Sequence, residues 1–414
     1  MDEKIMVSIV CVTYNHKKYI AKAIEGFINQ VTTFAYEILI HDDASNDGTL
    51  EILKEYENKN IRNFHVFYEK ENQYAKGRID EAINRMVEEN AQGKYIAICE
   101  GDDYWIDNKK LQIQIDYMEK NPECVMTGHN GLWVDDKTFE ISAANGFVGE
   151  RDLNHGDIIR HKRGCFPTAS TIVKKENYIL NEPFCNHSVG DWPRQLQAIE
   201  NGRVHYFDRI MSVYNVNVSG SWTARMNENG KRKIIVGLEM IDLLNVLNMR
   251  WKGVYSDEID NAKEAYIINI LNILENIQDD KIDYMKSVCE ETNHKYDVIC
   301  QDFLTRIDAI ENQKEELCIY VKRHNYNFIM GCGKIAGELF EKMKVMNLDI
   351  DGFVVSNNQN APIQYKGKKV WRWSELPYPI EKIGTIVGIQ YAIKKEIEES
   401  LRENGIEDYV WPRF

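Results

Sequence analysis

No uninterrupted apolar run in the sequence approaches the roughly 20 residues of a membrane-spanning helix. Met1 to Val12 also lacks the basic, long apolar and small-residue regions of a secretory signal. Basic charge is in short supply: 51 Lys and Arg stand against 65 Asp and Glu, a formal net charge of −14. That balance argues against a nucleic-acid partner, whose surface needs clustered cations, and a phosphate-rich ligand would require a local cation or a bound metal. The nine cysteines include no CxxC pair, and an odd, scattered set suits reduced thiols. No internal repeat or low-complexity tract appears. These absences predict a cytoplasmic protein without a transmembrane segment. What is present, 414 residues with 43% hydrophobic content, is enough to bury large cores in two or three domains.

Three regions follow one another. From Lys4 to about Arg225, β-rich runs alternate with helical ones. VSIVCVTY reads as a strand, Tyr19 to Asn29 as a helix, YEILIHDD as a strand, Thr49 to Glu57 as a helix and FHVFYE as a strand. Such alternation predicts a mostly parallel sheet flanked by helices. From Lys231 to about Val321, segments such as LEMIDLLNVLNMRW and EAYIINILNILENI carry apolar residues at helical spacing. At NFIMGCGKIAGELFEKM a strand and a Gly-rich turn restart an α/β pattern. The domain reading is 1–225, a helical stretch 226–321, and 322–414.

Acids gather at two predicted strand ends. AICEGDDYWIDNKK, from Ala97 to Lys110, places Glu100, Asp102 and Asp103 where like charges repel. A turn explains Gly and Asp there, and a hard divalent cation explains the crowding; the local pattern leaves both open. HDDASNDGT, from His41 to Thr49, repeats the theme before a helix. Capping and turn chemistry account for Asp47 to Thr49 but leave Asp42 and Asp43 without a role. Ligands of open α/β sheets collect beyond the carboxyl ends of strands, and both acid pairs fall there. Lys76 and Arg78 follow the third strand toward the same edge, as diphosphate contacts or as an ordinary solvated loop.

VSIVCVTYNHKKYIAKAIEGFINQ, EILIHDDASNDGT and GKYIAICEGDDYW resemble, in order and spacing, the nucleotide-binding half of family-2 inverting glycosyltransferases with the glycosyltransferase A fold. The resemblance runs from Val7 to about Trp222. It implies an α/β protein with a glycosyltransferase A-type domain at 1–225, and it assigns roles. Thr13, Tyr14 and Asp43 would hold the nucleotide base and ribose. Asp102 would contact the ribose, and Asp103 a Mn2+ or Mg2+ ion on the diphosphate. Glu100 stands where the family often has Asp. Asp191, in HSVGDWPRQLQAIENG, takes the place of the general base, although by itself it reads more readily as a helix cap. CFPTAST, with Thr168 and Ser170, aligns with a segment bordering the acceptor. In MSVYNVNVSGSW, Asn215 and Asn217 replace the family's Tyr-Arg-x-His pattern, which removes an expected cation. His129 reads as a core or acceptor-pocket histidine.

The C-terminal region resembles Rossmann-like nucleotide-sugar-binding domains. Gly331, Gly333 and Ala336 follow a strand and open a helix, as a dinucleotide fingerprint would. The next strand ends at Ser356 and Asn357 instead of an acid, so this is either a ligand loop or a turn kept for close packing.

The resemblance therefore implies metal-dependent, inverting transfer of a hexose from a nucleotide-sugar donor, by family habit a UDP-sugar, to a hydroxyl of a cell-surface glycan precursor. The acceptor is a glycan or lipid-linked glycan, as in polysaccharide or lipopolysaccharide synthesis, with the protein cytoplasmic or peripheral at the inner membrane face. The rivals are a catalytically silent nucleotide-sugar-binding protein and a nucleotidyltransferase. The apolar face of LEMIDLLNVLNMRW must be covered by another domain, a second copy in a homo-oligomer, or a membrane; its balanced charge favours packing.

Overall fold

The Val- and Ile-rich run at the start of the chain forms β1 (Ile5–Thr13), most of which is inaccessible to solvent. A strand with such burial belongs inside a sheet covered on both faces. In the computed structural model, which describes residues 4–143, 147–161, 165–218, 221, 225–226, 229–277, 280–357, 359–389 and 394–412, β1 lies within a sheet of ten strands. The chain divides into two units, residues 1–279 with 287–296, and residues 280–286 with 297–414.

In the first unit, β2 (Ala35–Asp42), β3 (Phe64–Tyr68) and β4 (Tyr95–Glu100) join β1 in the order β3-β2-β1-β4, all parallel. The crossovers are α1 (Ile20–Ile28), α2 (Thr49–Glu57) and α3 (Ile79–Asn90). α1 buries Ile20, Ala23, Ile24 and Phe27, the spacing of one helical face. Parallel register aligns the carboxyl ends: Thr13 pairs with Asp42 and Val12 with Glu100. The rest of the sheet is built from β5 (Tyr104–Trp105), β6 (Cys124–Asp135), β7 (Ile141–Ala143), β8 (Arg151–Leu153), β9 (Ile172–Lys174) and β10 (Arg203–Val216). Here the expectation of a mostly parallel sheet needs correction. β9 runs antiparallel to both β4 and β6, and β5 antiparallel to β10, while β6 and β10 are parallel. The three residues of β9 are too few to carry a periodic signal.

Alternation along β1 sends Val7, Ile9 and Cys11 into one core with α1 and Val10 into the other. The first core also takes Leu111, Ile115 and Met118 of α4 (Lys110–Lys120), and the second takes α5 (His155–Arg160), α6 (Asp191–Asn201) and the helices Gly230–Arg250 and Ser256–Glu275. Met240, Leu243, Leu244 and Leu247 pack in it with Ile158, Trp192 and Leu196. The apolar face of LEMIDLLNVLNMRW is thus covered within its own unit, and the helical middle contributes helices to both units. Among the described residues, no helix is long and apolar enough to cross a membrane.

The second unit contains the helix Asp297–Arg323 and a six-stranded sheet. Its strands are β11 (Tyr326–Met330), β12 (Gly352–Val355), β13 (Gln364–Tyr365), β14 (Lys368–Arg372), β15 (Ile383–Val387) and β16 (Tyr409–Val410). Their order is β13-β14-β12-β11-β15-β16, parallel except for β13.

Candidate functional site

Three loops leave the carboxyl ends of β1, β2 and β4 and are stitched together there. Asp43 N–H donates to Thr13 O at 2.9 Å, and Gly101 N–H to Val12 O at 2.8 Å. The first two loops are joined further out. Asn15, in the left-handed region at φ 56°, donates its N–H to Ser45 Oγ at 2.9 Å and accepts Asn46 N–H at 2.8 Å. Asp47 accepts Lys17 N–H at 3.0 Å and Thr49 N–H at 2.9 Å, so it serves as a turn and helix-start residue.

Inside this edge lie four buried polar atoms without a hydrogen-bond partner among the described residues: Thr13 Oγ1, His16 Nδ1, Asp42 Oδ1 and Asp103 Oδ2. Such orphans are uncommon in native structures, and several at one place mark a site completed by something else. Gly101 keeps the space narrow, since a Cβ there would sit 2.6 Å from Thr13 Oγ1 and 2.9 Å from His16 Nδ1. Tyr14 is half-buried beside Thr13. Asp43 is engaged otherwise: its Oδ1 accepts Gln73 N–H at 2.6 Å and its Oδ2 accepts Tyr74 N–H at 3.1 Å. The ring of Tyr74 in turn carries the Arg225 guanidinium at 4.4 Å. Lys76 is ion-paired with Glu71 in the loop after β3.

The acidic turn is held from below by Asn215. Its N–H donates to Asp103 Oδ1 at 2.9 Å, and its Nδ2 to the carbonyl of Asp102 at 2.5 Å. The residue that replaces a family cation therefore shapes the turn. Asn217 bonds Asp135 instead, while Ser219, Gly220 and Trp222, at the end of the same segment, lie outside the described residues. Asp102 Oδ2 lies 3.8 Å from His16 Nε2. Burial, then the charges of Asp102 and Glu100, push the Asp103 carboxyl well above the usual carboxylate range. Burial also holds His16 below its usual value, against the pull of Asp102.

A fully buried carboxylate with one orphaned oxygen and a raised proton affinity fits a divalent cation, which would relieve both. Among the described residues no three His, Cys, Asp or Glu side chains are grouped to hold a metal by themselves. A hard cation here would take one or two protein oxygens and complete its shell from phosphate and water.

Across β4 and β9, Asp191 opens α6 after Gly190. Its Oδ2 accepts the Thr168 hydroxyl at 2.7 Å. Thr168 starts a 3-10 turn ending at Ser170, and Thr171 links it to β9. A small pocket of about 10 Å3, room for one water, is lined by Thr168, Asp191 and Arg194. Asp191 is close enough for its charge to act on Asp103 and thereby joins the same electrostatic neighbourhood. His129 is fully buried, with Nδ1 at 2.7 Å from Asn130 O, and is a core residue.

The sequence marks Thr168 as bordering the acceptor and Asn215 as standing where a cation is expected, but not their bonds to Asp191 and Asp103, and it assigns His16 nothing. His16 belongs to the quoted first motif, and that placement was its only signal.

In the second unit, Gly331 and Gly333 line a cavity of about 410 Å3 with Cys332, Lys334, Ser356 and Gly388. Gly331 adopts φ 102°, which a side chain would strain. Ala336 lies behind the wall, where its Cα would be 2.8 Å from a Cβ on Gly388. Asn357, at the end of the next strand, accepts Ser374 N–H at 2.9 Å.

Comparison with known proteins bears on this arrangement. The family described as "Glycosyl transferase family 2" matches residues 8–161. An uncharacterized protein of Mycobacterium tuberculosis is 28% identical over 54% of this chain and 63% of its own length, so the chain spans less than two thirds of that relative. The Escherichia coli UDP-Glc:alpha-D-GlcNAc-diphosphoundecaprenol beta-1,3-glucosyltransferase WfgD is 32% identical over 42% of this chain and 68% of its own. A Staphylococcus aureus TarS fragment crystallised with UDP-GlcNAc aligns over 66% of this chain and 84% of that one, with a TM-score of 0.45 and 16% identity. The family match begins on β1 and runs through both acidic strand ends, and with the similarity to WfgD it shows that the chain belongs to glycosyl transferase family 2.

Proposed function

We propose that the chain transfers a hexose from a UDP-sugar to a hydroxyl of a glycan or lipid-linked glycan, with inversion at the anomeric carbon. The observation that carries this reading is the cluster of orphaned polar atoms at the ends of β1, β2 and β4, near enough to the carboxylate of Asp191 for its charge to act on Asp103. The names of two Escherichia coli relatives, both UDP-Glc:alpha-D-GlcNAc-diphosphoundecaprenol glucosyltransferases, support UDP as the nucleotide and a lipid-linked acceptor.

In this reading the Thr13–Tyr14 loop and Asp102 bind the nucleoside, and Asp43 fixes the neighbouring wall by holding the backbone of Gln73 and Tyr74. Asp103, with Asp102 beside it, would hold Mn2+ or Mg2+, which supplies charge neutralisation for the departing diphosphate. Asp191 removes the proton of the acceptor hydroxyl as its oxygen attacks the anomeric carbon in a single displacement. Thr168 occupies Asp191 Oδ2, leaving Oδ1 as the oxygen that takes the proton. Arg225 brings a cation to the rim, where the Asn215 and Asn217 positions lack one.

The test is a panel of UDP-glucose, UDP-galactose, UDP-N-acetylglucosamine and UDP-N-acetylgalactosamine with manganese, with and without GlcNAc-diphosphoundecaprenol. Release of UDP with a glycosylated lipid product supports the proposal. Binding without UDP release makes the chain a silent binder, and formation of a UDP-sugar and pyrophosphate in a separate incubation with UTP and a sugar 1-phosphate makes it a nucleotidyltransferase.

A further inference from the structure

Glu239 lies on the helix Gly230–Arg250, far outside the family-matched segment, and is 8% exposed. A withdrawn carboxylate is costly unless its lone pairs are filled. Both oxygens are filled by one residue: Oε2 accepts Ser188 N–H at 2.7 Å, and Oε1 accepts the Ser188 hydroxyl at 2.9 Å. Ser188 stands three residues before Asp191. Between them, a Cβ on Gly190 would meet open space, so no side chain pins that residue; its hold is the carbonyl, which accepts Arg194 N–H at 3.0 Å. The helix carrying Glu239 is immobilised by Leu238, Met240, Leu243 and Leu244, all at most 1% exposed. The bond pair therefore transmits the position of a rigid helix to a segment that ends on Asp191.

We propose that Glu239 is a positioning residue for Asp191, setting where its carboxylate stands by clamping Ser188. The inference rests on the reading of Asp191 as the general base. Placement errors of about 1 Å at a reacting group cost on the order of 100-fold in rate, so a clamp of this kind acts on turnover and leaves donor binding alone. Glu239→Gln can present its amide oxygen to Ser188 N–H and its NH2 to Ser188 Oγ, whereas Glu239→Ala can do neither.

Two measurements on the full chain test it. Amide hydrogen exchange in peptides covering residues 183–191 should accelerate by about tenfold or more in Glu239→Ala and stay near wild type in Glu239→Gln; unchanged protection in the Ala variant overturns the clamp. UDP release from the sugar panel should fall roughly tenfold or more in Glu239→Ala with unchanged affinity for UDP and manganese, should recover in Glu239→Gln, and should show no further loss when Glu239→Ala is added to Asp191→Asn. An equal further loss in the Asp191→Asn background overturns a role through Asp191. Wild-type turnover in Asp191→Asn alone overturns the base reading itself, and the exchange measurement then judges the clamp on its own.

Discussion

The hydroxyl of Thr168 donates to Asp191 Oδ2 at 2.7 Å, so one face of that carboxylate is committed before any acceptor arrives. A hydrogen bond to a charged group contributes about 1.5–3 kcal/mol, enough to fix the rotamer of an exposed Asp. Thr168→Val removes the donor at similar size and should lower turnover roughly tenfold with UDP affinity unchanged. Asp191→Asn keeps the shape without the basicity and should lower turnover by about 100-fold or more. Steady-state rates alongside UDP titrations check both, and a collapse of donor affinity in Asp191→Asn would make Asp191 a binding residue.

Asp103→Asn should leave the fold standing while removing the manganese-dependent part of UDP binding. The Asn carbonyl can still accept Asn215 N–H, and the buried negative charge disappears along with the cation that would balance it. Calorimetric titration of UDP with and without manganese decides: equal affinities in wild type and variant refute Asp103 as a metal ligand.

Lys110 is fully buried with no hydrogen-bond partner at Nζ, its ammonium 4.2 Å from the Trp105 ring. Burial lowers its pKa from 10.5 to about 7. Because the unfolded chain then binds the proton more tightly, the cost to stability is complete below about pH 7 and fades as pH rises toward 10.5. Lys110→Met should therefore stabilise the fold most at pH 6–7, by on the order of 1–4 kcal/mol, with a matching rise in melting temperature, and less at pH 9. The lost cation–π contact with Trp105 opposes the gain. Thermal melts at the two pH values check it, and a gain that grows with pH contradicts it.

A chain truncated after Arg225 should fail to fold stably. Met240, Leu243, Leu244 and Leu247 would vanish from the core shared with Trp192 and Leu196. Four such side chains account for roughly 6–12 kcal/mol, comparable with the whole stability of a domain. It would also lose Glu239. Circular dichroism and size-exclusion of the truncated chain give the answer, and a cooperative, monodisperse product refutes it.

The elements with a strong period were readable in advance. β1, α1, α2 and the helix Gly230–Arg250 stand where alternation or helical spacing put them, and Asp102 and Asp103 stand at a strand's carboxyl end because parallel crossovers leave their loops there. Other relations depend on distant parts of the chain. Glu239 meets Ser188 across 51 residues, and Asp43 meets Gln73 across 30, with nothing local to announce either pairing. β9 escaped because three residues show no period, and the bond from Thr168 to Asp191 because it closes across 23 residues, although Thr168 itself stands in a segment marked as bordering the acceptor.

The ten-stranded sheet also divides the labour of the site. The groups proposed to face the donor stand on the all-parallel side, whereas Asp191 and Thr168 belong to the mixed side, and the two sides meet where β4 pairs with β9. On the proposed roles, substitutions on the mixed side would retarget which hydroxyl is accepted while the nucleotide-facing edge stays intact. The seam between β4 and β9 would then be the line along which products diversify while the currency of activated sugar stays the same.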